Sequence, residues 1–312
     1  MNPPVLQIAR LSAPSEEKIN ARLKVTLLAN QAQPDDFLKS RGHEFQALIT
    51  TAPVGASAEL MAKLPNLKVV ACRGIGVEKV DLDYTRAHGI AVSCTPDVLT
   101  DCVADLALGL MIDTARGMSA SDRYVRAGRW PNGNFPLSTK VSGKKLGILG
   151  LGKIGKAIAK RAKAFDMEIR YHNRQPVTDC QYGYVSSMVE LARWADFFMI
   201  AVDGGPQTRN LVTKEVLTAL GPKGFIFNIS RGTVIDETAL IEALQNKTIA
   251  GAGLDVFVNE PNINPAFLSM DNVVLIPHTG SGTVETRSAM EGLILENIES
   301  FFSTGKLVTP VL

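Results

Sequence analysis

The sequence predicts an α/β protein of two doubly wound domains with a cleft between them, and three observations carry that prediction. The chain has 312 residues, about twice an ordinary domain. Short β-rich runs alternate with helix-patterned polar stretches along most of its length. A glycine-rich turn from Gly150 to Gly155 opens a second cycle of that alternation near the middle of the chain.

Composition bounds what such a protein can do. Apolar residues make up 46% and charged residues 21%, so both domains can bury real cores. Lys plus Arg number 33 against 31 acidic residues. That near-neutral balance offers no field for nucleic acid or an anionic membrane, and any anion must be captured locally. Cys72, Cys94, Cys102 and Cys180 show no CxxC or other metal-ligand spacing. The start MNPPVLQIARLSAPSEE lacks the basic and apolar regions of a secretory signal, and no segment is apolar enough to span a bilayer. The expectation is a cytoplasmic protein with reduced thiols, no metal, and neither nucleic acid nor membrane as partner.

The elements follow in order. Strands are expected at VLQIA, ALITTA, LKVVAC and IAVSC, with helical pattern in EEKINARLK and SAELMAKL. After Thr95-Pro96 the segment Thr100 to Arg116 carries apolar residues on nearly every face, with Thr100 as its expected N-cap. It reads as a buried helix linking the domains. From Lys145 six further strands are expected at LGILG, MEIRYH, FFMIAV, FIFNIS, AGLDVF and VVLIP. The stretch Thr283 to Thr304 is helical in pattern and can return to the first domain. No fixed-period repeat or low-complexity tract interrupts the chain.

GLGKIG, directly after the strand LGILG and opening AIAKRAKAF, is G-x-G-x-x-G in the strand-to-helix setting that a dinucleotide requires. Gly150 permits the tight turn, Gly152 lets backbone approach a pyrophosphate, and Gly155 allows close helix–sheet packing. The first amides of the helix, with Leu151, Lys153 and Ile154 in the turn, face the negative charge. A carboxylate about 20 residues on would select NAD through the ribose 2′-hydroxyl. Instead MEIRYH is followed by Asn173 and Arg174. Arg174 can pair with a 2′-phosphate, with Asn173 a donor beside it, so NADPH is the favoured cofactor and NADH remains possible.

Histidines are scarce enough for elimination. His43 and His88 sit in polar turns, and His172 ends the strand expected at the adenosine side. His278 alone ends a buried strand, VVLIPH, and enters a glycine-rich loop, which makes it the acid–base candidate. Arg231 follows FIFNIS and Glu260 follows GLDVFVN. Arg231 can fork to a carboxylate and a carbonyl oxygen, and Glu260 can hold a histidine ring and favour its imidazolium form. With a hydride cofactor these three residues suit carbonyl reduction.

Five ordered motifs, TPDVLTDCVADLALGL, LGILGLGKIG, NISRGTVIDETAL, GAGLDVFVNEP and PHTGSGTVETR, make the chain similar to the D-isomer-specific 2-hydroxyacid dehydrogenases, most of all their glyoxylate/hydroxypyruvate reductases. The resemblance implies two Rossmann-like domains: a substrate-binding one from residues 1–97 and 279–312, and a dinucleotide-binding one from 98–278. It implies Arg231 as the substrate-polarising arginine, Glu260 as the acidic partner and His278 as the acid/base. Ser230 and Asp255 fall on the cofactor side, while backbone amides at Val54, Gly55 and Gly76 take the substrate carboxylate. It also implies a homodimer, with residues 121–135 as an interface arm and Trp130 near the partner's substrate cleft. Two positions depart from the family pattern, Arg73 before Gly74-Ile75-Gly76, and Asp203 where a proline often comes first.

The activity implied is reduction of a small 2-keto acid such as glyoxylate or hydroxypyruvate. Phosphoglycerate, lactate and formate dehydrogenases share the same parts. The phosphoglycerate alternative is weakened, for its multidomain versions, by a chain that ends at Leu312. A nucleotide-sensing protein of the same fold without turnover would be expected to lack part of the trio, which here is complete.

Overall fold

The structure is a computed structural model that describes residues 3–311. The chain divides into two compact units, one formed up to Leu99 and again from Thr283, the other running from Thr100 to Gly282. The loop after His278 therefore belongs to the second unit as far as Gly282.

The first unit is built on five parallel strands: β1 (Pro4–Gln7), β2 (Lys24–Leu27), β3 (Ala47–Thr51), β4 (Val69–Arg73) and β5 (Ala91–Ser93). Their order is β2-β1-β3-β4-β5. Strict alternation explains why both faces are covered. Leu6, Leu48, Val70 and Val92 point to one side and pack with Leu38, Met61 and Leu64. Val5, Ala47, Ile49, Val69 and Ala71 point to the other, against Ile19 and the Ile294, Leu295 and Ile298 face of the Val284–Thr304 helix. Strands buried on both faces read as near-continuous apolar runs, the signature of a parallel sheet. Thr283 caps that last helix, its hydroxyl accepting from the Thr286 amide at 3.3 Å.

The second unit carries seven parallel strands: β6 (Lys145–Leu149), β7 (Glu168–His172), β8 (Gly183–Tyr184), β9 (Phe197–Ile200), β10 (Phe225–Asn228), β11 (Gly251–Leu254) and β12 (Val273–Leu275). Their order is β12-β11-β10-β9-β6-β7-β8. The direction of winding reverses between β6 and β9, so a crevice opens beyond the carboxyl end of β6, where the glycine turn lies. One face is filled by Phe198, Ile200, Ile226, Ala252 and Leu254 with the buried sides of the helices from Met188, Lys214 and Glu237. On the other face the Thr100–Arg116 helix lies so close to β11 that a Cβ at Gly253 would stand 2.7 Å from Leu110 and Thr114.

Three local readings need correction. Thr100 is the first residue of its helix, not the cap, and its buried hydroxyl has no hydrogen-bond partner. Strand β2 is not among the expected strands, and only its exposed first residue, Lys24, lies in the helical pattern EEKINARLK; it is a four-residue edge strand with no fully buried position. Strand β8 has two exposed residues and no pattern to detect. Among the described residues no helix is long and apolar enough to cross a membrane.

Candidate active site

The glycine turn is held by two hydrogen bonds to the end of β7. The Gly150 amide donates to His172 O at 3.0 Å, and the Leu151 amide donates to Asn173 Oδ1 at 2.7 Å. Each glycine has its own reason. Gly150 adopts φ +99°, and a Cβ there would sit 2.7 Å from the Ala201 carbonyl. At Gly155 a Cβ would lie 2.1 Å from Gly150 O. A Cβ on Gly152 would meet nothing within 4 Å, so that glycine is not required by the protein's own packing. Gly152 is also the N-cap of the Lys153–Ala162 helix and supplies no side-chain cap. An open cradle in front of uncapped first-turn amides suits a pyrophosphate. The residues present therefore fit a dinucleotide.

Around the adenosine side, Arg174 is exposed and donates from Nη1 to Gln207 Oε1 at 2.8 Å. Asn173 spends its side-chain oxygen on the glycine turn, which leaves its amide nitrogen as the donor it can offer. Buried Ser230 donates its hydroxyl to Val202 O, and its amide donates to Asn228 Oδ1 at 3.0 Å.

The reactive side follows from strand order. Strands β10, β11 and β12 are adjacent and parallel, so the segments that leave their carboxyl ends, bearing Arg231, Glu260 and His278, emerge along one edge. Asn228, fully buried, shapes the first of these turns: its Nδ2 donates to Arg231 O at 2.9 Å. Gly232 lets that turn touch the next segment, since a Cβ there would stand 1.9 Å from the Phe257 carbonyl carbon. Asp255 organises the third. Its buried carboxylate accepts from the Thr279 amide at 2.6 Å and the Gly280 amide at 2.9 Å. Its carbonyl accepts from His278 N at 2.9 Å. These bonds hold His278 in the left-handed region at φ 53°, which costs a non-glycine residue on the order of 1–2 kcal/mol.

Two of the three candidate side chains then meet, while Arg231 Nη1 donates to Ser230 O at 2.8 Å. His278 Nδ1 lies 2.7 Å from Glu260 Oε2, and Glu260 Oε1 accepts from the Phe257 amide at 2.8 Å. Burial opposes ionisation of Glu260. The His278 hydrogen bond, the Phe257 amide and the charges of His278 and Arg231 outweigh it, and the carboxyl is held below its usual range. Asp255 goes the other way: burial, with help from the Glu260 charge, lifts it above the usual range despite the Thr279 and Gly280 amides and the charge of His278. The remaining histidines have local partners: His88 stacks on Tyr84 at 3.9 Å between ring centroids, and His172 Nδ1 lies 2.8 Å from Val185 O. His43 offers its carbonyl to Asn66 Nδ2.

In the first unit, the amides of Val54 and Gly55 both donate to Thr51 O, at 3.0 and 2.8 Å. A carboxylate there would have to share them, which the sequence did not reveal. Gly76 lies half-buried in the turn after β4, its carbonyl accepting from Cys72 Sγ at 3.6 Å. Arg73 turns under the last helix, with Nη1 3.4 Å from buried Glu291 and its Nε buried without a partner. Sequence reasoning missed Asn228 and Gly232; the only signal was their place beside Arg231 in NISRG. The carboxylate of Asp255, a residue expected on the cofactor side, is engaged with the backbone of the loop that follows His278.

Comparison with known proteins agrees with this geometry. Residues 108–280 match the family described as D-isomer specific 2-hydroxyacid dehydrogenase, NAD binding domain. A hydroxyphenylpyruvate reductase of Plectranthus scutellarioides is 44% identical over 99% of this chain and 98% of its own length. A 2-ketogluconate reductase of Gluconobacter oxydans is 46% identical over 88% of this chain and 89% of its own. Among solved structures, an NADPH-dependent glyoxylate/hydroxypyruvate reductase of Sinorhizobium meliloti, in complex with NADP and malonate, superimposes with a TM-score of 0.91 at 39% identity. That match covers 100% of this chain and 97% of the other. A glycine turn fit for a dinucleotide, an Arg–Glu–His edge on adjoining strands, and relatives matched over nearly their full length make this chain a D-isomer-specific 2-hydroxyacid dehydrogenase, an NAD(P)-dependent oxidoreductase of the glyoxylate/hydroxypyruvate reductase type.

Proposed function

We propose that the protein reduces glyoxylate to glycolate and hydroxypyruvate to D-glycerate with NADPH as the preferred donor. The observation that carries the reading is the Glu260–His278 pair at 2.7 Å beside Arg231. Bound NADPH supplies the hydride for the 2-keto carbon. His278, its Nδ1–H donating to Glu260, gives a proton from Nε2 to the carbonyl oxygen. Arg231 stabilises the charge that develops on that oxygen and orients the carboxylate. One keto acid, one hydride and one proton give one hydroxy acid. In the first unit, the Gly76 amide, and those of Val54 and Gly55 shared with Thr51 O, are the donors this reading assigns to a carboxylate.

The cofactor preference rests on Arg174, exposed just beyond β7, with no carboxylate from Asn173 to Thr178. The relatives' names include hydroxyphenylpyruvate and 2-ketogluconate reductases, which puts larger keto acids in the test as well. A steady-state panel of glyoxylate, hydroxypyruvate and these larger acids, each with NADPH and NADH, decides both points. Turnover highest with glyoxylate or hydroxypyruvate and NADPH supports the proposal; an aromatic or sugar keto acid leading the panel would replace the substrate.

A homodimer forms part of the proposal. The 118–137 region exposes Met118, Val125, Trp130 and Leu137, an apolar set that a second copy would cover. Sedimentation showing a monomer at working concentration would remove it. Four free cysteines agree with a reducing cytoplasmic setting.

A further inference from the structure

We propose that Gln207 positions Arg174 and so sets how strongly the site discriminates a 2′-phosphorylated cofactor from one without that group. This rests on the NADPH reading above. Arg174 follows β7 and Gln207 lies in the Pro206–Thr208 turn after β9, and those two strands flank β6 on either side. The hydrogen bond from Arg174 Nη1 to Gln207 Oε1, at 2.8 Å, therefore joins the two neighbours of the glycine-turn strand beyond their carboxyl ends.

Both ends of the link stand on fixed backbone. Asn173, next to Arg174, is tied through Oδ1 to Leu151 N, and its carbonyl accepts from the Tyr184 hydroxyl at 3.3 Å. The Gln207 turn opens with Pro206, and its Thr208 hydroxyl donates to Asp203 O at 2.8 Å. The departure from a leading proline at Asp203 thus coincides with a turn that brings Gln207 within reach of Arg174.

The chemistry of the two side chains gives the link its direction. A free arginine on the surface gives up rotamer entropy when it binds an anion, and a partner that already orients the guanidinium removes part of that cost. Glutamine is neutral, so it holds one N–H and leaves the positive charge and the other donors for a phosphate. A carboxylate at this position would also hold the guanidinium, but it would neutralise it and repel a phosphate.

Calorimetric titration of the full chain with 2′,5′-ADP and with 5′-AMP separates these effects without turnover. Gln207→Ala is expected to weaken 2′,5′-ADP by about 3–10-fold while 5′-AMP stays within about twofold. Gln207→Glu is expected to weaken 2′,5′-ADP by about tenfold or more, again sparing 5′-AMP. If both variants keep the wild-type ratio of affinities while Arg174→Ala collapses it, the inference fails and the cofactor reading stands. A ratio that rises in Gln207→Ala would overturn the inference as well, by showing that Gln207 competes with the phosphate. A ratio untouched in Arg174→Ala would overturn the cofactor reading and this inference with it.

Discussion

Glu260 is clamped on both carboxylate oxygens, one by the Phe257 amide at 2.8 Å and one by His278 Nδ1 at 2.7 Å. With Nδ1 engaged by Glu260, Nε2 is the ring nitrogen left for the substrate in the proposed reaction. The ring is set in place by a backbone that Asp255 holds in the left-handed region. The position of the ring and the partner of its Nδ1 are thus fixed before a substrate arrives.

The lowered pKa of Glu260 predicts a pH-dependent stability difference. A carboxylate whose folded pKa lies below its unfolded value adds stability above the unfolded pKa, and that stability is lost as pH falls through the folded one. Glu260→Gln should therefore melt below wild type at neutral pH, by on the order of 2–4 °C if the partly exposed pair is worth about 1 kcal/mol. The gap should close as pH drops below the ordinary carboxylate range. Thermal melts of both proteins from neutral to acid pH check this, and a gap that widens toward acid would contradict it.

Gly152 and Gly155 should separate cofactor binding from folding. Gly152→Ala places a methyl in open space and should leave the melting temperature within about 1–2 °C, while weakening NADPH and NADH alike. Gly155→Ala drives a methyl against Gly150 O and should cost about 1–3 kcal/mol of stability. Melting curves and cofactor titrations of the two variants provide the test.

Asp255→Ala should release the loop after His278. The Thr279 and Gly280 amides would lose their acceptor, each such bond to a charged group being worth about 1.5–3 kcal/mol. Amide hydrogen exchange at Thr279 and Gly280 should accelerate by tenfold or more, and turnover should fall with it.

Much of this was legible in the sequence because the carriers were strong: buried strands announce themselves as apolar runs, and GLGKIG combines turn, cradle and packing in six residues. Arg231, Glu260 and His278 could be named because each follows such a run. What the sequence hid was of another kind. Edge strand β2 opens on a polar residue and lacks an apolar run. The role of Gly232 depends on the backbone at Phe257, and that of Asp255 on amides 24 and 25 residues away, contacts that only the folded sheet creates. The engagement of the Val54 and Gly55 amides with Thr51 O is instead a local turn within four residues, which the motif APVGAS did not announce.

The most direct test of the account is turnover of His278→Ala, measured in both directions with cofactor binding followed alongside. Reduction consumes a proton at this residue and oxidation returns one, so both should fall by about 10²–10⁴-fold, as for loss of a general acid. Wild-type reduction should slow and oxidation should quicken as pH rises, and NADPH affinity in the variant should stay near normal. Turnover of His278→Ala close to wild type, with the cofactor still bound, would contradict the proton transfer proposed for the Glu260–His278 pair.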